Sequence, residues 1–265
     1  MRNLLTRSTS GIIYAAIFIT SILYSKESFI LLVSIFGAFC IYEFGKLIQL
    51  KNVLPYLVFL SIISLFYVDA FKGNAVLVLL VLTLLASIQM IGYLYAKKNT
   101  YPRNFLQKMD VSIRYLAFSL SFIILIPFID EVYQPYILVY VLLLIWANDS
   151  FAFLIGKNFG KRKLFESVSP KKTIEGFIGG LVFSVATAVV IGFYSELLTI
   201  TDWIIVAIII SVIGTIGDLV ESKFKRQASI KDSGNIMPGH GGLLDRLDSL
   251  LFAAPFVYLY IHFII

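Results

Sequence analysis

Nine blocks of apolar residues, separated by short polar stretches, organise this chain: roughly 9–25, 28–46, 53–69, 74–96, 112–130, 135–156, 174–195, 201–221 and 249–264. None alternates polar and apolar positions with a period of two, and each is too long for a barrel strand, so a membrane β-barrel is excluded. A bilayer-crossing helix needs about 20 mostly apolar residues. The blocks therefore predict an all-α fold, a polytopic membrane protein with about nine transmembrane helices. The first block follows Arg2 and Arg7, as a signal peptide would. Tyr24-Ser25-Lys26-Glu27 offers no small-residue cleavage site, so the block is read as a retained helix.

Composition agrees with this pattern. The chain has 265 residues, 59% apolar and 14% charged, with a mean hydropathy of +0.89. Soluble domains run at about 45–50% apolar and about 25% charged. A water-soluble enzyme and a disordered chain are excluded. With Cys40 the only cysteine, so is a disulfide scaffold.

The basic residues orient the spans. With the N-terminus placed in the cytoplasm, 20 of the 22 lysines and arginines fall on the inner side, and only Lys26 and Lys72 fall outside. That asymmetry is a strong positive-inside signal, and one missed or invented span would scramble it. The outer connections, 26–27, 70–73, 131–134 and 196–200, have no room for a domain. The longest inner ones, 157–173 and 222–248, are basic, polar and glycine-containing. Any chemistry is expected there, at the cytoplasmic face. The chain divides into an N-terminal transmembrane region, 1–110, and a C-terminal transmembrane catalytic region, 111–265. No internal repeat or inverted pair of broken spans of the transporter kind is visible.

Five acidic residues stand inside or at the edge of apolar blocks: Glu43, Asp149, Glu175, Asp218 and Glu221. A carboxylate at the bilayer centre costs about 2.5–3.5 kcal/mol on insertion scales, so such groups pair, bind an ion or line a wet cavity. Glu43 has a simple partner in Lys46, one turn away. Asp149 and Asp218 end long apolar runs beside small or polar residues and adjoin the two basic loops. They either form ion pairs there or hold a divalent cation while the bases hold phosphate. Magnesium is usually held by one or two carboxylates plus substrate phosphates.

In the first inner loop, Gly156 to Gly160-Lys161 is one residue too short for a phosphate-binding P-loop and follows an apolar helix rather than a strand. In Ser169-Pro170-Lys171-Lys172-Thr173, Pro170 can set a turn, and Ser169 or Thr173 can cap the next helix. A helix start with two lysines suits an anion, although an ordinary basic loop touching lipid headgroups reads the same way. The second loop carries Asp218, Glu221, Ser222, Lys225, Arg226, Lys231, Asp232 and Gly234. It then runs Pro238-Gly239-His240-Gly241-Gly242 to Asp245, Arg246 and Asp248. Asp245 and Asp248, three apart, share one face at the start of the last span. The glycines around His240 leave backbone N–H groups free to wrap an anion.

These residues carry a resemblance. Ser222-x-x-Lys225-Arg226-x4-Lys231-Asp232-x-Gly234, followed by Pro238-x-His240-Gly241-Gly242-x-x-Asp245-Arg246-x-Asp248, resembles the signature of the phosphatidate cytidylyltransferases, or CDP-diacylglycerol synthases. Met237 departs conservatively from the usual residue before the proline. Asn148-Asp149-Ser150 and Ser169 through Gly176 are similar to that family as well. The resemblance implies transfer of CMP from CTP to phosphatidate, giving CDP-diacylglycerol and pyrophosphate. It also implies Mg²⁺, with room for a second cation, in a bacterial cytoplasmic (inner) membrane. The expected partners are CTP, phosphatidate and membrane lipid, with a homodimer as the family's common assembly and no nucleic acid.

The resemblance implies Asp218 and Asp245 as metal ligands; to these the reading of the residues adds Asp248 in support and Asp149 as a further carboxylate. Lys225, Arg226 and His240 are expected to act on the reacting phosphates. Ser169, Lys171, Lys172, Thr173, Ser222, Lys231, Gly241, Gly242 and Arg246 are expected to bind substrate. A relative acting on another lipid phosphate, or phosphorylating a lipid alcohol from CTP, would share much of this pattern. A transporter would instead spread its carboxylates through the membrane depth, whereas here they gather at one face.

Overall fold

The computed structural model describes residues 2–68, 70–96, 100–237, 239 and 241–265, with side chains from residue 9 onward. Among these residues, each apolar block forms a helical segment. The segments are α1 (Arg2–Tyr24), α2 (Lys26–Leu47), α3 (Leu54–Tyr67), α4 (Asn74–Tyr95), α5 (105–125), α6 (Pro135–Phe159), α7 (Ile174–Tyr194), α8 (Ile200–Gln227) and α9 (Leu244–Ile264). Six of them, α2, α4, α6, α7, α8 and α9, are long and apolar enough to cross a membrane. With 14 residues, α3 reaches only about 21 Å at 1.5 Å per residue, short of a hydrocarbon core of about 30 Å. Leu31, Leu57, Ile88, Val182 and Phe193 point outward, a surface that suits lipid rather than water.

Two small hairpins correct the all-α expectation. The first pairs β1 (Phe128–Ile129) with β2 (Val132–Tyr133) through Asp130 and Glu131, both at positive φ, the backbone twist that tight hairpins favour. The second pairs β3 (Lys163–Phe165) with β4 (Ser169–Thr173). Pro170 thus lies in an edge strand, where a missing N–H is tolerated, instead of setting a turn. The inner loops are also shorter than their polarity suggested. Helix α6 runs on to Phe159 and α8 to Gln227, so the second connection is only 228–243. The polar end of α8 stays helical because Leu219, Val220, Phe224 and even Lys225 are buried against its neighbours.

Three features place the site. Helices α6 and α7 approach closely along a glycine seam: a Cβ on Gly176 would stand 2.7 Å from the Ala152 carbonyl oxygen, and one on Gly180 2.7 Å from that of Asn148. Small residues of this kind let helix backbones meet in lipid. Within α8, Ile210–Gly214 is π-helical. One extra residue in a turn rotates the remaining turns by about 100° relative to an uninterrupted helix, and this sets the face on which Asp218 emerges. Finally, the N-terminal helices clamp the C-terminal ones. Lys223 on α8 donates to carbonyl oxygens at the end of α4, those of Tyr93, Leu94 (3.1 Å) and Ala96 (2.8 Å), and lies over the Tyr93 ring. These are the carbonyls a helix end otherwise leaves unsatisfied.

Candidate active site

A cavity of about 650 Å³ opens between α6, α7, α8, α9 and the β3–β4 hairpin. It collects residues distant in sequence: Asp149 from α6, Lys171, Lys172 and Thr173 from β4, Asp218 and Lys225 from α8, and Asp245, Arg246 and Asp248 from α9. Local rules explain the placements. Thr173 is the N-cap of α7, its Oγ1 accepting from Gly176 N at 3.1 Å, so the two lysines before it are held at a helix start. Glu175, in the first turn, accepts from the backbone N–H of Lys161 (2.9 Å) and of Arg162 (3.1 Å) and anchors the hairpin on the same helix. Asp218, Ser222 and Lys225 recur at i, i+4 and i+7, one stripe of a helix.

Two ion-paired centres divide the charge. Asp218 Oδ1 accepts from Ser222 Oγ (3.1 Å), and Oδ2 meets the Lys172 ammonium at 2.5 Å. Both side chains of that pair are about 30% exposed, so a phosphate entering the cavity can reach the ammonium. The second centre is buried. Lys225 Nζ lies 2.6 Å from Asp245 Oδ1 and 3.0 Å from Glu221 Oε1, with 9% or less of each side chain exposed. Asp245 Oδ2 accepts further from Ser233 N (2.8 Å), Ser233 Oγ (3.0 Å) and Gly242 N (2.8 Å). Breaking a buried pair costs about 3–5 kcal/mol. Lys172 is therefore able to exchange partners, whereas Lys225 is locked.

The structure does not put every expected site residue on the cavity wall. Ser169, Lys231, Gly241 and Gly242 lie off it, although Gly242 holds Asp245. Ser222 is also off it and donates to Asp218. Arg226 is directed elsewhere, donating to the carbonyl oxygens of Val168 (3.3 Å) and Ile230 (3.2 Å). His240 lies outside the described residues. Lys157, Lys163 and Asp232 line the cavity without having been singled out; their only sequence signal was membership of basic loops or of the signature. Glu43 departs furthest from its expected role. Instead of pairing with Lys46, which lies over the Tyr42 ring, its buried carboxylate accepts from Leu243 N, Leu244 N and Ser233 Oγ.

Hard oxygen donors and ammonium groups facing one another across a cavity of this size suit a polyphosphate with its metal. Among the described residues no three acidic, histidine or cysteine side chains already converge as a metal cage. The donors instead fit a magnesium ion that takes one or two carboxylates and completes its shell with phosphate and water.

Residues 5–264 match the family model described as "Cytidylyltransferase family". The chain is 33% identical over 264 residues to the phosphatidate cytidylyltransferase of Bacillus subtilis (strain 168), covering 97% of each. It is 49% identical over 119 residues to that of Staphylococcus haemolyticus (strain JCSC1435), and 48% over 120 residues to that of Staphylococcus aureus (strain COL). Each of those matches covers 44% of this chain and 46% of the relative. With the match running through all nine helices and the cavity between them, this chain belongs to the cytidylyltransferase family.

Proposed function

We infer that this protein is a phosphatidate cytidylyltransferase, transferring CMP from CTP to phosphatidate to yield CDP-diacylglycerol and pyrophosphate. The observation that carries the reading is the joining, in one cavity, of Lys171 and Lys172 with Asp149, Asp218, Asp245, Arg246 and Asp248, in a chain similar to such an enzyme over nearly its whole length. A phosphatidate oxygen attacks the α-phosphorus of CTP in line, and pyrophosphate leaves. No protein nucleophile is needed, because positioning and charge neutralisation suffice. Lys172 leaves Asp218 for a phosphate oxygen, while Lys171 and Arg246 neutralise the remainder. Lys225 keeps Asp245 in place. Asp218, once Lys172 has moved to phosphate, would hold magnesium together with Asp248 or Asp149; Asp245, which already accepts from Lys225, Ser233 and Gly242, would join them only if Lys225 moved. Magnesium, when bound, supplies charge neutralisation on the triphosphate.

The proposed setting is a bacterial cytoplasmic membrane, with the N-terminus and the cavity on the cytoplasmic side, all nine helices inserted, and a homodimer as the assembly. Supporting this, Lys26, Lys72 and Glu131, from three outer connections, line a separate cavity of about 450 Å³. Lys26 begins α2 and Glu43 lies near its end, about 25 Å away at 1.5 Å per residue. The test is CTP-dependent CDP-diacylglycerol formation by the purified protein in detergent. Turnover should vanish with a chelator, return with Mg²⁺, and fall at least 100-fold in folded Asp218→Asn. Near-normal turnover in that variant removes Asp218 from the site.

A further inference from the structure

Helix α2 belongs to the half of the chain whose described residues supply no wall of the cavity, yet it sends one carboxylate into the C-terminal half. Glu43 is 2% exposed. Its Oε1 accepts from Leu243 N at 3.2 Å, and its Oε2 from Leu244 N at 2.8 Å and Ser233 Oγ at 3.1 Å, across 190 to 201 residues of sequence. Two of these donors are backbone N–H groups at the start of α9, which a helix leaves unsatisfied and whose positive end favours a carboxylate. The third, the Ser233 hydroxyl, has a single proton to share between Glu43 Oε2 and Asp245 Oδ2, which is 3.0 Å away. The linker is shaped around this carboxylate: a Cβ on Gly234 would stand 2.2 Å from Glu43 Oε1, and one on Gly242 2.5 Å from Oε2.

We propose that Glu43 is a positioning residue for the transfer reaction, which holds the glycine-rich linker against α2 and, through Ser233 and the start of α9, sets the Asp245 carboxylate at the cavity. The proposal rests on the functional reading above. A helix cap needs only a local acceptor, and Ser, Thr, Asp or Asn beside the helix would do. A glutamate borrowed from a distant helix ties the linker to the N-terminal half as well. Gln fits the same space but presents one acceptor oxygen and an NH₂ group to three donors, so Glu43→Gln disrupts the contact without leaving a cavity.

The experiment compares wild type, Glu43→Gln, Ser233→Ala and, as a control one turn away, Lys46→Gln, all purified full-length in detergent. Two quantities are read: steady-state kinetics with CTP and phosphatidate, and backbone hydrogen exchange over 233–244 by mass spectrometry. Folded Glu43→Gln should lower kcat about 10- to 100-fold, the scale of a displacement of about 1 Å, with KM for CTP within about threefold. Its 241–244 amides should exchange faster while the middle of α9 stays protected. Lys46→Gln should match wild type. If Glu43→Gln does not fold, Ser233→Ala decides, with an expected loss of about tenfold in kcat and faster exchange at the same amides. Unchanged exchange overturns the proposal, and so does faster exchange with kcat within twofold of wild type, which would make Glu43 a fold anchor only. Should wild type itself make no CTP-dependent product, the functional reading fails, and the exchange comparison still decides whether Glu43 holds the linker.

Discussion

Replacing Lys225 by Met tests the division between a locked and an exchangeable lysine. The ammonium lies 2.6 Å from Asp245 and 3.0 Å from Glu221, in surroundings where these side chains are 9%, 6% and 1% exposed. Without it, the two carboxylates lose different amounts. Asp245 keeps three donors from Ser233 and Gly242. Apart from the ion pair with Lys225, neither oxygen of Glu221 has a hydrogen-bond partner among the described residues, so without the ammonium Glu221 either stays an uncompensated buried charge or takes up a proton, and both are costly. Removing one partner of a buried pair costs about 3–5 kcal/mol. At about 2–4 °C per kcal/mol for a chain near this length, Lys225→Met should melt about 6–20 °C below wild type in detergent. Because Glu221 carries most of the loss, Lys225→Met with Glu221→Gln should recover at least half of it, a non-additivity expected only of contacting residues. Activity should not return with stability, since Asp245 still lacks its ammonium. A melting point for Lys225→Met within 2 °C of wild type, or a double variant less stable than the single, would refute the assignment.

Lys223 is basic and lies within the signature at an unspecified position, yet it is bound to the end of α4. Lys223→Met should lower stability by about 1–3 kcal/mol, the penalty for unsatisfied buried acceptors, while kcat per folded molecule changes less than threefold; a selective loss of kcat would place it at the phosphates instead. At the α6–α7 seam, Gly176→Val forces a side chain to within 2.7 Å of the Ala152 carbonyl. It should cost about 1–3 kcal/mol by overpacking and separate Asp149 from Lys172, read as a lower melting point together with a raised KM for CTP.

Much of this molecule is legible in one dimension because the bilayer imposes a one-dimensional rule. Backbone polar groups in lipid must be satisfied internally, so each apolar block becomes a helix, and a helix is found in every predicted block. The candidate site residues were legible for a different reason. Helical spacing ties Asp218 to Ser222 and Lys225, and separately Asp245 to Asp248, and from Ser222 onward the resemblance to a known signature is written in the same stretch. Element ends were less legible. The helical end of α8 and the β3–β4 hairpin are set by burial of polar-looking residues and by cross-strand pairing, neither of which polarity along the chain reveals.

Which side chains meet was decided by tertiary structure alone. Lys225 and Arg226 are neighbours in sequence with the same charge, but helical rotation buries one between two carboxylates and turns the other toward the Val168 and Ile230 carbonyls. Lys172 and Lys223 both read as cytoplasmic bases, and only packing makes one face Asp218 and the other close the end of α4. Glu43 has an adequate partner one helical turn along the chain and takes its donors 190 to 201 residues away. Two buried amides at a helix start outweigh a surface lysine that water solvates almost as well.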